Sequence, residues 1–377
     1  MDYASSAPTD KRVVRAMAPY WNNVSSNPSA IHKSGVAARN AVENARATIA
    51  KLIFAHPDEI IFTGSATESD ALAIVGVVNY YRENFPQNTP HIITTNIEHS
   101  AIIETCKMLE RTGKANVTYV EVEENGIVDP KKIRDAITPN TILVSVMYAN
   151  NEIGTIAPIH EIAKMIRHYK KNGNSVFPFF HTDACQAMNY LETNNIDKLG
   201  VDLLSFNGSK IYGPKGIGVL YKKRGVPILP VIYGGGQEFG LRSGTENVPA
   251  IVGIAKAFEI TEKMKEEESA RLKNLQQLFF SGISEISNNT GYKIKINGDL
   301  NNRLPNNVNI SIDDISHELL VLELDAKGVE ISTKSACKAK EEANTLRFSF
   351  GRDINRTDIL KVLKLLEQIL LKYKTWK

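Results

Sequence analysis

The chain has 377 residues, 42% hydrophobic and 23% charged, a globular composition with length enough for two domains. Lys plus Arg number 45 against 42 Asp plus Glu, and a net charge of +3 is too balanced for a nucleic-acid or membrane-surface protein. Three cysteines, Cys106, Cys185 and Cys337, are too few for a disulfide framework or a zinc site and fit a reducing cytoplasm.

In chain order, Met1-Asp2-Tyr3-Ala4-Ser5-Ser6 has no basic region and no apolar core, so no signal peptide is expected. No later apolar run approaches the ~20 residues of a spanning helix. The expectation is a soluble, cytoplasmic protein. The first strand is expected at residues 60–63, followed by Gly64-Ser65-Ala66-Thr67-Glu68-Ser69 and a helix over 68–82. Small residues at a helix start let backbone N–H groups point at a bound anion, favoured by the helix dipole. The plain alternative is an ordinary helix start capped by Ser65 or Thr67. A strand at 91–95 leads to His99 and a helix over 100–111. A lone His is more often structural, although an imidazole can stack on a ring or move protons. Cys106, inside that helix, has the setting of a core cysteine.

Strands at 117–122 and 142–147 follow, the second leading to Asn150-Asn151-Glu152-Ile153-Gly154. Adjacent Asn residues before Gly are turn formers first, and also neutral ligands for a carboxylate or a phenolate. A helix over 159–169 and a strand over 177–181 precede His181-Thr182-Asp183-Ala184-Cys185-Gln186. A strand-end carboxylate such as Asp183 can pair with a cofactor ring nitrogen, or simply cap a helix. The strand 203–206 opens into Asn207-Gly208-Ser209-Lys210-Ile211-Tyr212-Gly213-Pro214, before a strand at 218–221. A lysine in such a turn is a candidate Schiff-base residue, provided that burial lowers its pKa.

Strands alternating with helices predict a mainly parallel sheet covered on both faces, with ligands at the carboxyl ends of the strands. From about Val248 the texture changes to a helix over 250–286, strands at 308–312 and 346–350, and a helix over 318–327. Thr357 is expected to cap a last amphipathic helix with Ile359, Leu360, Leu363, Leu366 and Leu370 on one side. This part reads as a smaller α+β domain. The expected division is 14–257 for a large cofactor-binding domain, with 1–13 and 258–377 forming the small one. Near its end, Ser335-Ala336-Cys337 lies among Lys334, Lys338 and Lys340, whose positive charge favours a thiolate.

Five stretches together resemble the pyridoxal-phosphate-dependent cysteine desulfurases of the NifS/IscS class. They are Ala66-Thr67-Glu68-Ser69, Asn150-Asn151-Glu152-Ile153-Gly154, Lys210-Ile211-Tyr212-Gly213-Pro214-Lys215-Gly216, Arg242-Ser243-Gly244-Thr245 and Ser335-Ala336-Cys337. The similarity runs from Asp2-Tyr3 to Arg352. It implies the α/β fold of fold-type I pyridoxal-phosphate transferases, with a mainly parallel seven-stranded sheet. It implies that Lys210 binds pyridoxal 5'-phosphate covalently, that His99 stacks on its ring and helps move protons, and that Asp183 and Gln186 bind the ring nitrogen and the phenolic oxygen. Ala66 and Thr67 would hold the phosphate, with Asn207 and Ser209 as further donors and Thr245 reaching across from a second subunit, hence a homodimer. Asn150 and Arg347 would hold the carboxylate of L-cysteine. Cys337 would take the substrate sulfur as a persulfide, releasing L-alanine, and pass it to an iron–sulfur scaffold or a tRNA-thiolating enzyme. No metal, nucleic-acid or membrane partner is implied.

Two departures stand out. Ser209 and Asn207 occupy positions where the family usually has His and Ser, which implies weaker cofactor binding, and Gly64-Ser65 stands where Ser-Gly is commoner. Between Cys337 and Arg347 there are only residues 338–346, where typical members carry a longer loop, and a C-terminal extension for docking a scaffold is not expected. A selenocysteine lyase or a low-turnover sulfur-transfer scaffold built around the same cofactor is the alternative reading.

Overall fold

The computed structural model describes residues 1–335 and 344–374. Cys337 and the lysines 338 and 340 lie outside the described residues.

Runs rich in Ile, Val, Thr and Phe form β1 (Ile60–Thr63), β2 (His91–Thr95), β3 (Asn116–Val120), β4 (Thr141–Ser145), β5 (Phe179–Asp183), β6 (Leu203–Asn207) and β7 (Gly218–Lys222). They make one sheet in the order β1-β7-β6-β5-β4-β2-β3. The pairs β6–β5, β5–β4, β4–β2 and β2–β3 are parallel; only β7 runs against its two neighbours. The carboxyl ends of β1, β6, β5, β4 and β2 therefore share one edge.

Side chains alternate between two buried faces, as strand geometry requires. Ile60, Phe62, Ile93, Val144, Phe180, Leu204, Phe206, Val219 and Tyr221 join one core with the Lys33–Leu52 helix and the first part of the Val248–Thr290 helix. Ile61, Ile92, Leu143, Phe179, Leu203 and Leu220 join a second core with Leu72, Ile74 and Val77 of the Ala66–Asn84 helix. Burial on both faces explains why these strands read as continuous apolar runs.

The Val248–Thr290 helix then carries the chain into a separate core, where Leu272, Phe279, Ile283 and Ile286 pack with Phe348 and Leu366. Here β8 (Ile294–Ile296), β9 (Asn307–Ile312), β10 (Ser332–Ser335) and β11 (Asn344–Ser349) form an antiparallel sheet in the order β10-β11-β9-β8. The N-terminal segment is tied to this sheet: Asp2 bridges Ser349, and Ala4 N donates to Ser349 Oγ at 2.9 Å. The same segment also touches the large sheet's edge, where Ala7 N donates to Ser209 O at 2.9 Å.

The strands Ile60–Thr63 and His91–Thr95 and the Ser100–Arg111 helix have the expected bounds, the other expected elements shift by a few residues at their ends, and the Lys33–Leu52 helix, β8 and β10 are not among the expected elements. The cap of the last helix is a correction. Asn355, not Thr357, accepts the backbone N–H groups of Thr357 and Asp358, which places Thr357 inside the Arg356–Lys374 helix. Leu360 is likewise exposed; the buried stripe runs through Ile359, Val362, Leu363, Leu366, Ile369 and Leu370, the i, i+3, i+4, i+7 spacing of one helix face.

Candidate active site

The strand ends deliver most of the expected residues to one edge. After β1 the chain turns at Gly64, and Ser65 caps the Ala66–Asn84 helix by accepting from Glu68 N at 3.2 Å. The capping reading of Ser65 is therefore correct. The first-turn N–H groups of Ala66 and Thr67 have no partner within the helix by construction. The turn itself is braced: Thr63 Oγ1 and Ser69 Oγ lie 2.7 Å apart, and Glu68 Oε2 accepts from Gly64 N at 2.8 Å. Glu68 also binds Arg242 Nε at 2.7 Å, which ties the turn to the segment carrying Thr245, an exposed residue. Gly218 packs against the Ser65 carbonyl so closely that any Cβ there would collide with it.

Beyond β6, the Gly208–Lys210 turn presents Lys210. Its ammonium donates to Ala4 O at 2.8 Å and to Ser5 O at 2.6 Å. Burial, reinforced by the positive charge of Arg347, holds Lys210 below the ordinary lysine range. That is the condition a nucleophilic lysine needs. Gln186 Nε2 donates to the same Ala4 carbonyl at 3.0 Å, so Gln186 and Lys210 share one acceptor. Asp183 ends β5, is buried, and accepts from Cys185 N at 2.9 Å through Oδ1. Asn207 faces Gly218 across the sheet edge, and its side-chain oxygen is buried with no partner among the described residues. His99 caps the next helix, accepting from Ala101 N at 3.1 Å through Nδ1.

Asn150 has a different setting. Its oxygen accepts from Glu152 N and Ile153 N at 2.8 and 2.9 Å, while its amide donates to Ile97 O at 2.9 Å. The turn-forming role is thus realised, and the side chain bridges the loops after β4 and β2. Arg347 arrives from β11 of the small sheet, 3% exposed, and reaches across to Glu152 and to Asp2.

The described cysteines are poor nucleophiles. Cys106 is buried, and burial pushes its thiol up to about 12. Burial next to Asp183 raises Cys185 well above the ordinary thiol range.

Sequence reasoning missed a buried polar cluster behind Asp183. Residues 179, 181 and 183 of β5 share a face, so His181 lies beneath Asp183. Its Nδ1 is 2.9 Å from Ser145 Oγ and its Nε2 3.0 Å from Ser205 Oγ. Asp70, from the Ala66–Asn84 helix, approaches His181 Nε2 at 3.6 Å and is 1% exposed, with both oxygens lacking a hydrogen-bond partner among the described residues. This is not an ion pair: burial pushes His181 down to about 3, so the ring is neutral. Burial, with Asp183 nearby, raises Asp70 well above the carboxylate range. Glu98, also buried there, is pushed up to about 8. The sequence carries no signal for Asp70, which ends the polar stretch Thr67-Glu68-Ser69-Asp70 ahead of the apolar run Ala71-Leu72-Ala73-Ile74-Val75.

A raised folded pKa sets a sign. Between the ordinary carboxylate pKa and the folded one, the unfolded chain binds fewer protons at Asp70 than the native chain. Stability therefore falls as pH rises through that window, by up to about 1.4 kcal/mol per pH unit. Asp70→Asn removes this dependence. Thermal melts from pH 5 to pH 8 should show the variant gaining on the parent as pH rises; parallel profiles would refute a protonated Asp70.

Comparison with known proteins adds a family. The profile described as Aminotransferase class-V matches residues 1–362. A cysteine desulfurase IscS of Dictyoglomus turgidum is 40% identical over 393 residues, covering 100% of this chain and 95% of that protein. A cysteine desulfurase IscS 1 of Archaeoglobus fulgidus is 40% identical over 385 residues, covering 98% and 96%. Among solved structures, a NifS-like protein superposes with a TM-score of 0.89 at 34% identity, covering 98% of each chain. SspA in complex with cysteine gives a TM-score of 0.77 at 33% identity, covering 93% of this chain and 97% of that one.

Proposed function

Because the chain belongs to the class-V aminotransferase family and, within it, to the cysteine desulfurases, we propose that it converts L-cysteine to L-alanine and moves the sulfur to Cys337. The observation that carries this reading is the meeting of the Ala66–Asn84 helix start, the Asp183 carboxylate and the Lys210 amine at one sheet edge, with Arg347 entering from the smaller sheet.

The residues present fit pyridoxal 5'-phosphate. The open N–H groups of Ala66 and Thr67 suit its phosphate, Asn207 and Ser209 of the turn after β6 would be further donors, and Asp183 suits a protonated ring nitrogen. Gln186 suits the phenolic oxygen, and His99 a ring face. When bound, the cofactor supplies an electron sink for bonds at the substrate's α-carbon. The protein does the rest. Lys210 holds the cofactor covalently and later moves protons through Nζ, a role its lowered pKa favours. Asn150 steadies the loop carrying Glu152, and Arg347 takes the substrate carboxylate. The Cys337 thiolate attacks the substrate sulfur, the carbon–sulfur bond breaks with its electron pair staying on carbon, and a proton completes L-alanine. The chain's three cysteines leave this role to Cys337, since Cys106 and Cys185 are buried with raised thiols. A sulfur-acceptor protein then receives the persulfide sulfur.

The test is product analysis. With L-cysteine and a reductant, L-alanine and sulfide should appear in equal amounts; pyruvate or no alanine would overturn the reading.

We extend it to a homodimer in which Thr245 contributes to the second copy's phosphate site. Thr245 is exposed, yet Arg242 and Glu68 brace its segment to the phosphate turn of its own chain. Sedimentation of the cofactor-bound protein should give twice 41.8 kDa. Thr245→Ala should weaken cofactor retention, and an active monomer would rule the arrangement out.

A further inference from the structure

The guanidinium assigned to the substrate carboxylate already has carboxylates of its own. Arg347 Nη1 donates to Asn151 O at 3.0 Å and Glu152 Oε1 at 2.9 Å. Nη2 donates to Asp2 Oδ1 at 2.9 Å, Ser5 Oγ at 2.7 Å and Ser332 Oγ at 3.0 Å. Nε is buried and has no partner among the described residues. Nε and Nη2 point the same way and form the fork that grips a carboxylate through two parallel bonds. Half of that fork is open, and Asp2 is the carboxylate on the other half, alongside the Ser5 and Ser332 hydroxyls.

We propose that Asp2 is an exchangeable counter-ion of Arg347: the substrate carboxylate takes the Nε–Nη2 fork, and Asp2 leaves it. This rests on the assignment of Arg347 to the substrate carboxylate. Charge supports exchange over addition. A substrate carboxylate added beside Asp2 and Glu152 would gather three anions around the Arg347 guanidinium, where weak screening makes their repulsion costly. Exchange keeps two. Of the two residents, Asp2 is the one placed to leave. Its side chain is 28% exposed against 16% for Glu152, so water can solvate it on release. Each carboxylate has a further side-chain donor, Ser332 Oγ to Asp2 Oδ1 and Asn151 Nδ2 to Glu152 Oε1, both at 2.8 Å, but Glu152 keeps the Nη1 side, outside the fork.

The exchange reaches Lys210. Asp2 belongs to the same short segment as Ala4 and Ser5, whose carbonyls accept the Lys210 ammonium, and Ser5 also binds Arg347 directly. Freeing Asp2 loosens the segment whose carbonyls hold the Lys210 ammonium, so the exchange acts on the lysine whenever its amine is not joined to the cofactor.

The experiment compares Asp2→Asn with the parent, both loaded with cofactor. The substitution keeps shape and removes the competing charge. A latch lowers apparent affinity by the fraction of molecules in which the fork is free. KM for L-cysteine should therefore fall about three- to tenfold, with the change on KM and not on kcat. L-Alanine, which carries the same carboxylate, should raise the melting temperature of Asp2→Asn more than that of the parent. Asp2→Ala, which removes the acceptor altogether, should move both readings the same way. If Asp2 instead holds Arg347 ready for substrate, KM rises in both variants and L-alanine stabilises them less; that result, or an unchanged KM, overturns the proposal. A parent enzyme that makes no L-alanine would sink the functional reading itself, whereas a competent parent with a raised KM in the variants would sink only the exchange.

Discussion

Cys337→Ser should reduce release of sulfide from L-cysteine by about three orders of magnitude or more, while the cofactor absorbance of the purified protein stays the same. The size of the effect follows from what is removed. A thiolate is a soft nucleophile that exists at neutral pH, and Lys334, Lys338 and Lys340 supply the positive charge that favours it. A serine hydroxyl has similar size but a far higher pKa, so the covalent step is lost rather than weakened. The cofactor contacts proposed above involve Lys210, Asp183, Gln186 and the helix start at Ala66, none of which the substitution touches. The two other cysteines serve as controls. Cys106 is fully buried in the Ser100–Arg111 helix, and Cys106→Ser should leave sulfur transfer in place. Cys185→Ser can lower activity through its neighbour Asp183, which its backbone N–H binds, without abolishing the persulfide. Mass spectrometry after addition of L-cysteine should find one added sulfur on the peptide containing Cys337. Sulfur on Cys185, or normal alanine production by Cys337→Ser, would refute the assignment.

Lys210→Met should be comparably severe for a different reason. The side chain keeps its length and loses its amine, so covalent attachment of the cofactor and proton transfer at Nζ vanish together. Proton transfer by a positioned group contributes about 10²–10⁴-fold by itself, and the loss of attachment adds to that. The cost to the fold should be small by contrast. The Lys210 ammonium bonds only to the carbonyls of Ala4 and Ser5 among the contacts described for it, and its burial opposes its charge. Removing a charged group that is penalised by desolvation offsets the lost hydrogen bonds. Borohydride treatment of the parent enzyme should fix the cofactor's mass on the peptide containing Lys210, and nothing should be fixed in the variant. A label on another lysine, such as Lys215 five residues on, would overturn the assignment.

Much of this protein was legible along the chain because the determinants are local. The runs at β2 and β4 are buried on both faces, and their β-branched residues announce this without help from the rest of the fold. The Ser100–Arg111 helix shows its period plainly enough to have its bounds read directly. The helix start at Ala66, the turn before Lys210 and the carboxylate ending β5 each follow a strand, so the rule for ligands at strand ends places them together. Local signals can still compete. Asn355 and Thr357 are both good caps, and the choice depends on backbone angles that the residue types do not set.

Tertiary structure decided the pairings. Asp2 meets Arg347 across 345 positions of sequence, and no composition or period in either neighbourhood points to the other. Asp70 has an unremarkable helical position, yet it becomes an orphaned acid because one particular helix lies over the sheet face that carries His181 and Asp183. Hydrophobic periodicity is a property of a segment and survives in the sequence; the charge state of a buried carboxylate depends on which neighbours the fold brings within a few ångströms and how much water it removes, and neither exists until the chain has folded.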